Sequence, residues 1–298
     1  MIDKPSILIT SLGRTGTQFF SLLFDHILPD CDAFHEPDII QYAGVKNRIS
    51  PLLTRIKDAG IYNIVFLKLL GKWSLIKLSD SRIKGELDEK EAAQNLHWQR
   101  AKFIQSKKGS VYVESNVGYY GLLDILPAVF SHNKAIFIVR DGREWVRSTL
   151  NWGEIFGKKG IRRLFSHRWP TAKDFPDSPY FEKWHLLSRF EQICWVWSML
   201  NQYALETIGK NPNARIFYFE KIFSGKEQYN YLNELVDFAV TLPTIGISKF
   251  GKTDGWLEKR VHMSSGDFPA WDNWTKEQKR QFEYICGPVM EKLGYKIE

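Results

Sequence analysis

Cysteine is scarce in this 298-residue chain, which contains only Cys31, Cys194 and Cys286. The three are odd in number, lie far apart in sequence and form no CxxC spacing. The sequence therefore indicates neither a disulfide framework nor a cysteine zinc site. A reducing compartment is the simpler interpretation, and we expect a cytoplasmic protein.

Long apolar runs are missing as well, since no segment is long and apolar enough to span a bilayer. The first residues, 1–5, lack the basic region, apolar stretch and small-residue cleavage site of a signal peptide. Internal repeats and low-complexity tracts are also absent. We therefore expect a chain with no membrane span.

The composition fits one globular unit, with 44% hydrophobic and 25% charged residues. We expect a single α/β domain over residues 1–298, with helical or loop insertions at about 40–108 and 152–210. The net charge of +7 and the pI near 9.1 favour an anionic ligand, substrate or surface. This charge alone does not choose among a nucleotide, a nucleic acid and a lipid headgroup.

Short apolar runs alternate with helical patterning along the chain. The buried-strand candidates are 7–10, 111–113, 135–139 and 215–219, and the helix candidates are 18–27, 182–207 and 278–293. This alternation predicts an α/β three-layer sandwich, with a central parallel sheet, helices on both faces and a P-loop-like strand-loop-helix at its start.

The first strand leads into a glycine-containing loop and then a helix. Backbone N–H groups and the positive end of a helix dipole meet at such a loop, and glycine lets the backbone approach an anion closely. Hydroxyl groups and a permanent positive charge add to the site. The candidate anion-binding residues are Gly13, Arg14, Thr15, Gly16, Thr17 and Gln18.

This loop is not a Walker A motif, because Thr17 stands where that motif has the lysine after its second glycine. A conventional ATP or GTP site is therefore disfavoured. An ordinary strand-to-helix turn with capping threonines is the alternative interpretation of the segment.

A second basic segment follows the strand 135–139. It begins at Arg140, and if the chain is helical from about Gly142, Ser148 lies two turns farther on, on a similar face. Arg140 and Ser148 then form a second candidate phosphate site. A surface helix with salt bridges between its arginines and acidic residues is the competing interpretation.

Together the two segments resemble the sulfotransferase superfamily. Its first motif binds the 5'-phosphosulfate of 3'-phosphoadenosine-5'-phosphosulfate (PAPS), and its second, an arginine and a serine eight positions later, binds the 3'-phosphate. Arg140 and Ser148 have that spacing. Many relatives carry Lys-Ser-Gly-Thr where this chain has residues 14–17, whereas Golgi-type and several bacterial members begin with arginine, so Arg14 is a fixed cation.

The resemblance extends to His35, Glu36 and Pro37, which are similar to a His-Glu-Pro segment of bacterial and carbohydrate-directed members. It covers roughly residues 7–36, 110–151, 214–240 and 255–295, and it is loose over the two expected insertions. It implies transfer of a sulfuryl group from PAPS to a hydroxyl or amine acceptor, a saccharide among the options. The product nucleotide is adenosine 3',5'-bisphosphate, and no metal is required.

Such a reaction needs fixed cations and a base that takes the proton of the acceptor. Arg14 and the loop amides are the expected stabilisers of the leaving group. Glu36 is the first candidate for the base, because it follows a predicted second strand at the carboxyl edge of the sheet. His35 is its rival, and Glu114 is a third candidate that could instead orient the acceptor or pair with an arginine.

The resemblance also implies that a basic loop closes over the 3'-phosphate, and Lys259 and Arg260 are its candidates, although a solvated loop explains them equally well. Most of the 11 tryptophans should fill the core. Those that could stack on adenine or a sugar include Trp145, Trp152, Trp169 and Trp184.

Two other functions stay open at this point. A nucleotide or small-molecule kinase would also use a strand-loop-helix anion site, although the missing lysine weighs against it. A non-enzymatic nucleic-acid-binding protein is supported only by the charge and the aromatic residues. We expect no nucleic-acid partner.

Overall fold

The computed structural model of the chain describes residues 1–37, 74–153, 155–156, 169–242, 253, 255–258 and 266–297. The strands are β1 (Ser6–Ser11), β2 (Cys31–His35), β3 (Val111–Ser115), β4 (Asn133–Val139) and β5 (Ala214–Tyr218). The helices are α1 (Thr17–Ile27), α2 (Leu75–Ile83), α3 (Glu89–Gln105), α4 (Leu126–Val129), α5 (Gly142–Trp152), α6 (Arg189–Ile208), α7 (Phe219–Phe223), α8 (Gln228–Val240) and α9 (Lys276–Lys292).

The five strands form one parallel sheet in the order β2-β3-β1-β4-β5. The chain moves from β1 to one side of the sheet for β2 and β3, and then to the other side for β4 and β5. The direction therefore reverses between β1 and β4, and the crevice at such a switch point is where open α/β sheets bind ligands. Both candidate anion-binding segments follow these two strands.

Alternate residues of β1 face two separate cores, which is why its sequence is apolar without interruption. Ile7 and Ile9 pack in a core with α1 and α8, whereas Leu8 packs in a core with α2, α3, α5, α6 and α9. Helices therefore cover both faces of the sheet, and the predicted three-layer α/β sandwich is confirmed.

Helix α6 begins later than the sequence predicted. Instead of starting at Glu182, it starts at Arg189, because the Ser188 side chain accepts a hydrogen bond from the Glu191 N–H and the Glu191 carboxylate accepts one from the Ser188 N–H. This capping box fixes the start. Apolar spacing continues before it through Trp184, which lies in a short 3-10 turn.

The two expected insertions are only partly described. Residues 74–108 contain α2 and α3, as the polar helical pattern indicated, and residues 40–73 lie outside the described part. Within 153–188, the described residues form turns and short 3-10 segments. The assignment of the chain to one domain with insertions stays a prediction.

Candidate functional site

The loop between β1 and α1 has an unusual backbone. Gly13, Arg14 and Gly16 all have positive φ angles, of 79°, 58° and 74°. Glycine adopts this region without cost, whereas a residue with a side chain does so at a cost in strain. A loop with such angles directs successive N–H groups inward and forms a concave site for an anion at the start of α1.

Side chains beneath the loop hold this shape. The Ser11 hydroxyl accepts from the Gly13 N–H at 3.0 Å and from the Thr15 hydroxyl at 2.5 Å. The Trp145 indole of α5 donates to the Gly13 carbonyl at 3.1 Å. Thr15 is buried, so its hydroxyl supports the loop from inside. Thr17 is buried too, and Gln18 is exposed on the first turn of α1.

Arg140 joins the second segment to this loop. Its guanidinium donates to the Arg14 carbonyl at 2.7 Å and lies 3.7 Å from the Glu144 carboxylate. Its own carbonyl accepts from the Trp197 indole at 3.2 Å. The Nε atom of Arg140 is buried and has no hydrogen-bond partner among the described residues. The side chain is therefore anchored and still has an unused donor.

Arg14 points toward α5. Its Nε donates to the Ser148 hydroxyl at 3.1 Å, and its guanidinium lies 5.5 Å from the centre of the Trp152 ring. Among the described residues no carboxylate pairs with it. Burial lowers the pKa of Arg14 and of Arg140, and the positive charge of Arg14 lowers that of Arg140 further. Two cations held this close favour a bound anion.

Glu36 follows β2 at the same edge of the sheet. It has a positive φ of 45°, is only 8% exposed, and donates its N–H to the Ser115 carbonyl at 3.0 Å. The same carbonyl is 3.3 Å from Nδ1 of His35, and Nε2 of His35 is 3.8 Å from the Glu36 carboxylate. The two candidate bases therefore lie side by side.

Ser115 connects this pair to the anion-binding loop. Its carbonyl contacts both His35 and Glu36, and its hydroxyl donates to the carbonyl of Thr17, the first residue of α1, at 2.7 Å. Ser115 was not among the residues predicted for the site. No local signal marks it, because its three partners come from two other elements.

Glu114 lies away from this edge, in the interior. Its side chain is fully buried and accepts two hydrogen bonds from the Arg100 guanidinium, at 2.9 and 2.8 Å. It accepts further bonds at 2.6 to 2.8 Å from Tyr112, Asn116 and Tyr119. Both oxygens are occupied, so the geometry corresponds to the arginine pairing that the sequence left open and leaves no oxygen for a reacting proton.

The predicted stacking tryptophans have different environments. Trp145 and Trp184 are buried, and Trp145 supports the loop. Trp152 is 48% exposed beside Arg14 and is open to a ligand. Trp169 is partly buried and packs against the larger core. The predicted phosphate ligands Lys259 and Arg260 lie outside the described residues.

Sequence reasoning missed the residues that brace Arg140. These are Trp197, Phe219, whose ring centre is 4.6 Å from the Arg140 guanidinium, and Glu220, which accepts from the N–H of the next residue, Asp141, at 2.9 Å. For Phe219 and Glu220 the only sequence signal was their position directly after β5, at the carboxyl edge of the sheet.

Within the described ranges, no cluster of three or more histidine, cysteine or acidic side chains is arranged to hold a metal ion. Every helix in those ranges is too short or too polar to cross a bilayer.

No protein-family model matches the sequence, and no curated protein matches it either. A solved sulfotransferase domain from the curacin biosynthetic pathway is 14% identical, with 100% of each chain covered and a TM-score of 0.43. A sulfotransferase from Alicyclobacillus acidocaldarius is 10% identical, with 99% of this chain and 98% of that chain covered and a TM-score of 0.44. Both structures are named as sulfotransferases.

Proposed function

We propose that this protein is a sulfotransferase that moves a sulfuryl group from PAPS to a hydroxyl or amine of an acceptor, a saccharide being one candidate. The observation that carries the proposal is the convergence of Arg14 and Arg140 at the switch point, where the Arg140 guanidinium contacts the Arg14 carbonyl at 2.7 Å. An anion-binding loop and an arginine–serine pair meet there and form one basic crevice.

The chain has residues that suit both charged ends of PAPS. The amides of the loop 13–18 and the dipole of α1 suit the 5'-phosphosulfate. Arg140 and Ser148 suit the 3'-phosphate, and the buried Nε of Arg140, without a partner among the described residues, supports this assignment. The sequence resemblance adds Lys259 and Arg260 as further ligands of that phosphate.

When bound, PAPS would supply an activated sulfuryl group whose leaving group is a bisphosphate. Arg14 contributes a fixed positive charge, and the loop N–H groups contribute oriented dipoles, where negative charge grows during transfer. Both are in place before the reaction, so they stabilise that charge without reorganisation. Positioning and electrostatics then supply most of the acceleration, as in phosphoryl transfer.

Glu36 is the proposed general base, which accepts the acceptor proton on a carboxylate oxygen. Its location supports this role, because Glu36 follows β2 at the sheet edge where Ser115 joins it to the start of α1. His35 remains the rival: if its Nδ1–H donates to the Ser115 carbonyl, Nε2 carries the lone pair and faces Glu36. We assign Glu114 a structural role, since both its oxygens are occupied.

Calorimetric titration with adenosine 3',5'-bisphosphate, without added metal, tests the proposal. Binding should be tight for the wild-type protein and should weaken in Arg140→Ala, while the exposed-site control Arg280→Ala should bind like wild type. Binding of Mg-ATP alone would favour a kinase, and binding of oligonucleotides alone would favour a nucleic-acid-binding protein. Mass spectrometry of extracts incubated with labelled PAPS would then identify the acceptor.

A further inference from the structure

We propose that Glu220 is a positioning residue for Arg140, and that Tyr295 from the segment after α9 completes this support. The inference rests on the proposed function, since it concerns how the 3'-phosphate of the nucleotide is recognised. The hydrogen bonds that Glu220 accepts from other residues come from Asp141 and Tyr295, so it acts on Arg140 through its neighbours.

The first link is a hydrogen bond to the backbone. One carboxylate oxygen of Glu220 accepts from the Asp141 N–H at 2.9 Å. Asp141 caps α5 through the N–H of Arg143 at 2.8 Å and pairs with the guanidinium of Arg143 at 2.6 Å. The Asp141 N–H belongs to the peptide bond between Arg140 and Asp141. Glu220 therefore fixes the plane of the peptide from which the Arg140 side chain departs.

The second link is packing against the side chain. The centre of the Phe219 ring lies 4.6 Å from the Arg140 guanidinium. The Trp197 indole holds the Arg140 carbonyl. The two residues that follow β5 thus support Arg140 both through its backbone and through its guanidinium, which limits the directions in which that cation can point.

The third link is a hydrogen bond from Tyr295, near the C-terminal end of the described residues. The Tyr295 hydroxyl donates to the second carboxylate oxygen of Glu220 at 2.9 Å. In the described residues Glu220 forms no salt bridge, and its burial is compensated by hydrogen bonds from the Asp141 N–H, its own backbone and the Tyr295 hydroxyl.

The charge of Glu220 also acts on the cation. Burial lowers the pKa of Arg140, and the carboxylates of Glu144 and Glu220 oppose that shift. Burial raises the pKa of Glu220 itself, which the hydrogen bond from Asp141 partly offsets. The pair is therefore coupled through the protein interior rather than through a direct ion pair.

The test compares two ligands. Adenosine 3',5'-bisphosphate carries the 3'-phosphate that Arg140 is proposed to bind, and adenosine 5'-monophosphate lacks it. Calorimetry on Glu220→Ala should show about tenfold weaker binding of the bisphosphate and unchanged binding of the monophosphate. Glu220→Gln, which keeps an acceptor for the Asp141 N–H, should recover most of the affinity. Tyr295→Phe should give an intermediate loss for the bisphosphate only.

Tyr284→Phe is the control, because it makes the same substitution at a tyrosine of α9 whose side chain is 72% exposed. It should bind both ligands like wild type. Equal losses for both ligands in Tyr295→Phe, or full bisphosphate affinity in that variant, would overturn the inference even if Glu220→Ala does not fold. Failure of the wild-type protein to bind the bisphosphate would instead reject the proposed function.

Discussion

Arg14 and Ser148, which come from the two separate candidate anion-binding motifs, are joined by a hydrogen bond of 3.1 Å from Nε to the hydroxyl. The motifs therefore form one continuous surface rather than two independent sites. A ligand with two anionic groups can contact both at once, and each residue also orients the other before a ligand arrives.

Replacing Ser148 with alanine removes that bond and a candidate phosphate ligand. We expect about tenfold to 100-fold weaker binding of adenosine 3',5'-bisphosphate, because a hydrogen bond to a charged group typically contributes about 1.5 to 3 kcal/mol. Calorimetry measures the change. Ser131→Ala is a suitable control, since Ser131 is exposed and bonds Asp3 instead. Unchanged affinity in Ser148→Ala would remove Ser148 from the site.

Replacing Arg14 with alanine should lower turnover more than it lowers nucleotide affinity. The loss of a preorganised donor at developing charge costs on the order of 100-fold to 1000-fold in kcat. A transfer assay with labelled PAPS measures the effect. Arg215→Ala, which removes an exposed arginine that pairs with Glu234, serves as the control. Equal turnover in the Arg14 and Arg215 variants would contradict the proposed role.

Replacing Glu36 with glutamine keeps the shape of the side chain and removes its basicity. Bisphosphate affinity should stay close to wild type, while kcat should fall about 100-fold or more. The parallel variant His35→Gln separates the two candidates. If it loses turnover and Glu36→Gln does not, the base is His35.

Replacing Arg100 with methionine leaves the Glu114 carboxylate buried without its cation. Breaking one partner of a buried pair costs about 3 to 5 kcal/mol, so we expect a large drop in the free energy of unfolding, measured with denaturant. The exposed pair Arg280–Glu277 provides the comparison, and Arg280→Met should change stability little. Similar losses in the two variants would argue against the buried network.

The pH dependence of the free energy of unfolding should reveal the raised pKa of Glu220. Because burial raises the pKa of Glu220, the folded protein keeps this proton at pH values where the unfolded chain has released it. The contribution of Glu220 is therefore most favourable below the ordinary carboxyl range, about pH 4, and is lost as the pH rises through the raised value. Denaturant unfolding of wild type and Glu220→Gln across pH should show the wild type losing stability relative to the variant as pH increases. The opposite trend would contradict the shift.

The sheet and the location of the site could be predicted from the sequence for a physical reason. Strands such as β1 and β4 are buried on both faces, so they appear as unbroken apolar runs. The loop 13–18 and Arg140 then follow directly from the ends of those strands. Connectivity within the sheet brought them together, as the rule for parallel sheets implies.

The internal partners could not be predicted in the same way. Glu114 looked available because it follows a strand, but Arg100, 14 residues earlier on α3, occupies it. The link between Glu220 and Tyr295 spans 75 residues and has no local pattern. The positive φ of Glu36 is equally hidden, since a residue other than glycine gives no sequence signal for it.

The bond between Arg140 and the Arg14 carbonyl spans 126 positions of the chain and depends on the pairing of β1 with β4. Contacts between distant segments form slowly, because closing a long loop costs entropy before any contact compensates it. During refolding, helical signal should therefore recover before the ability to capture a bisphosphate does. Ligand binding during refolding therefore measures when the β1–β4 pairing forms. A bound nucleotide would in turn stabilise the folded sheet against local unfolding.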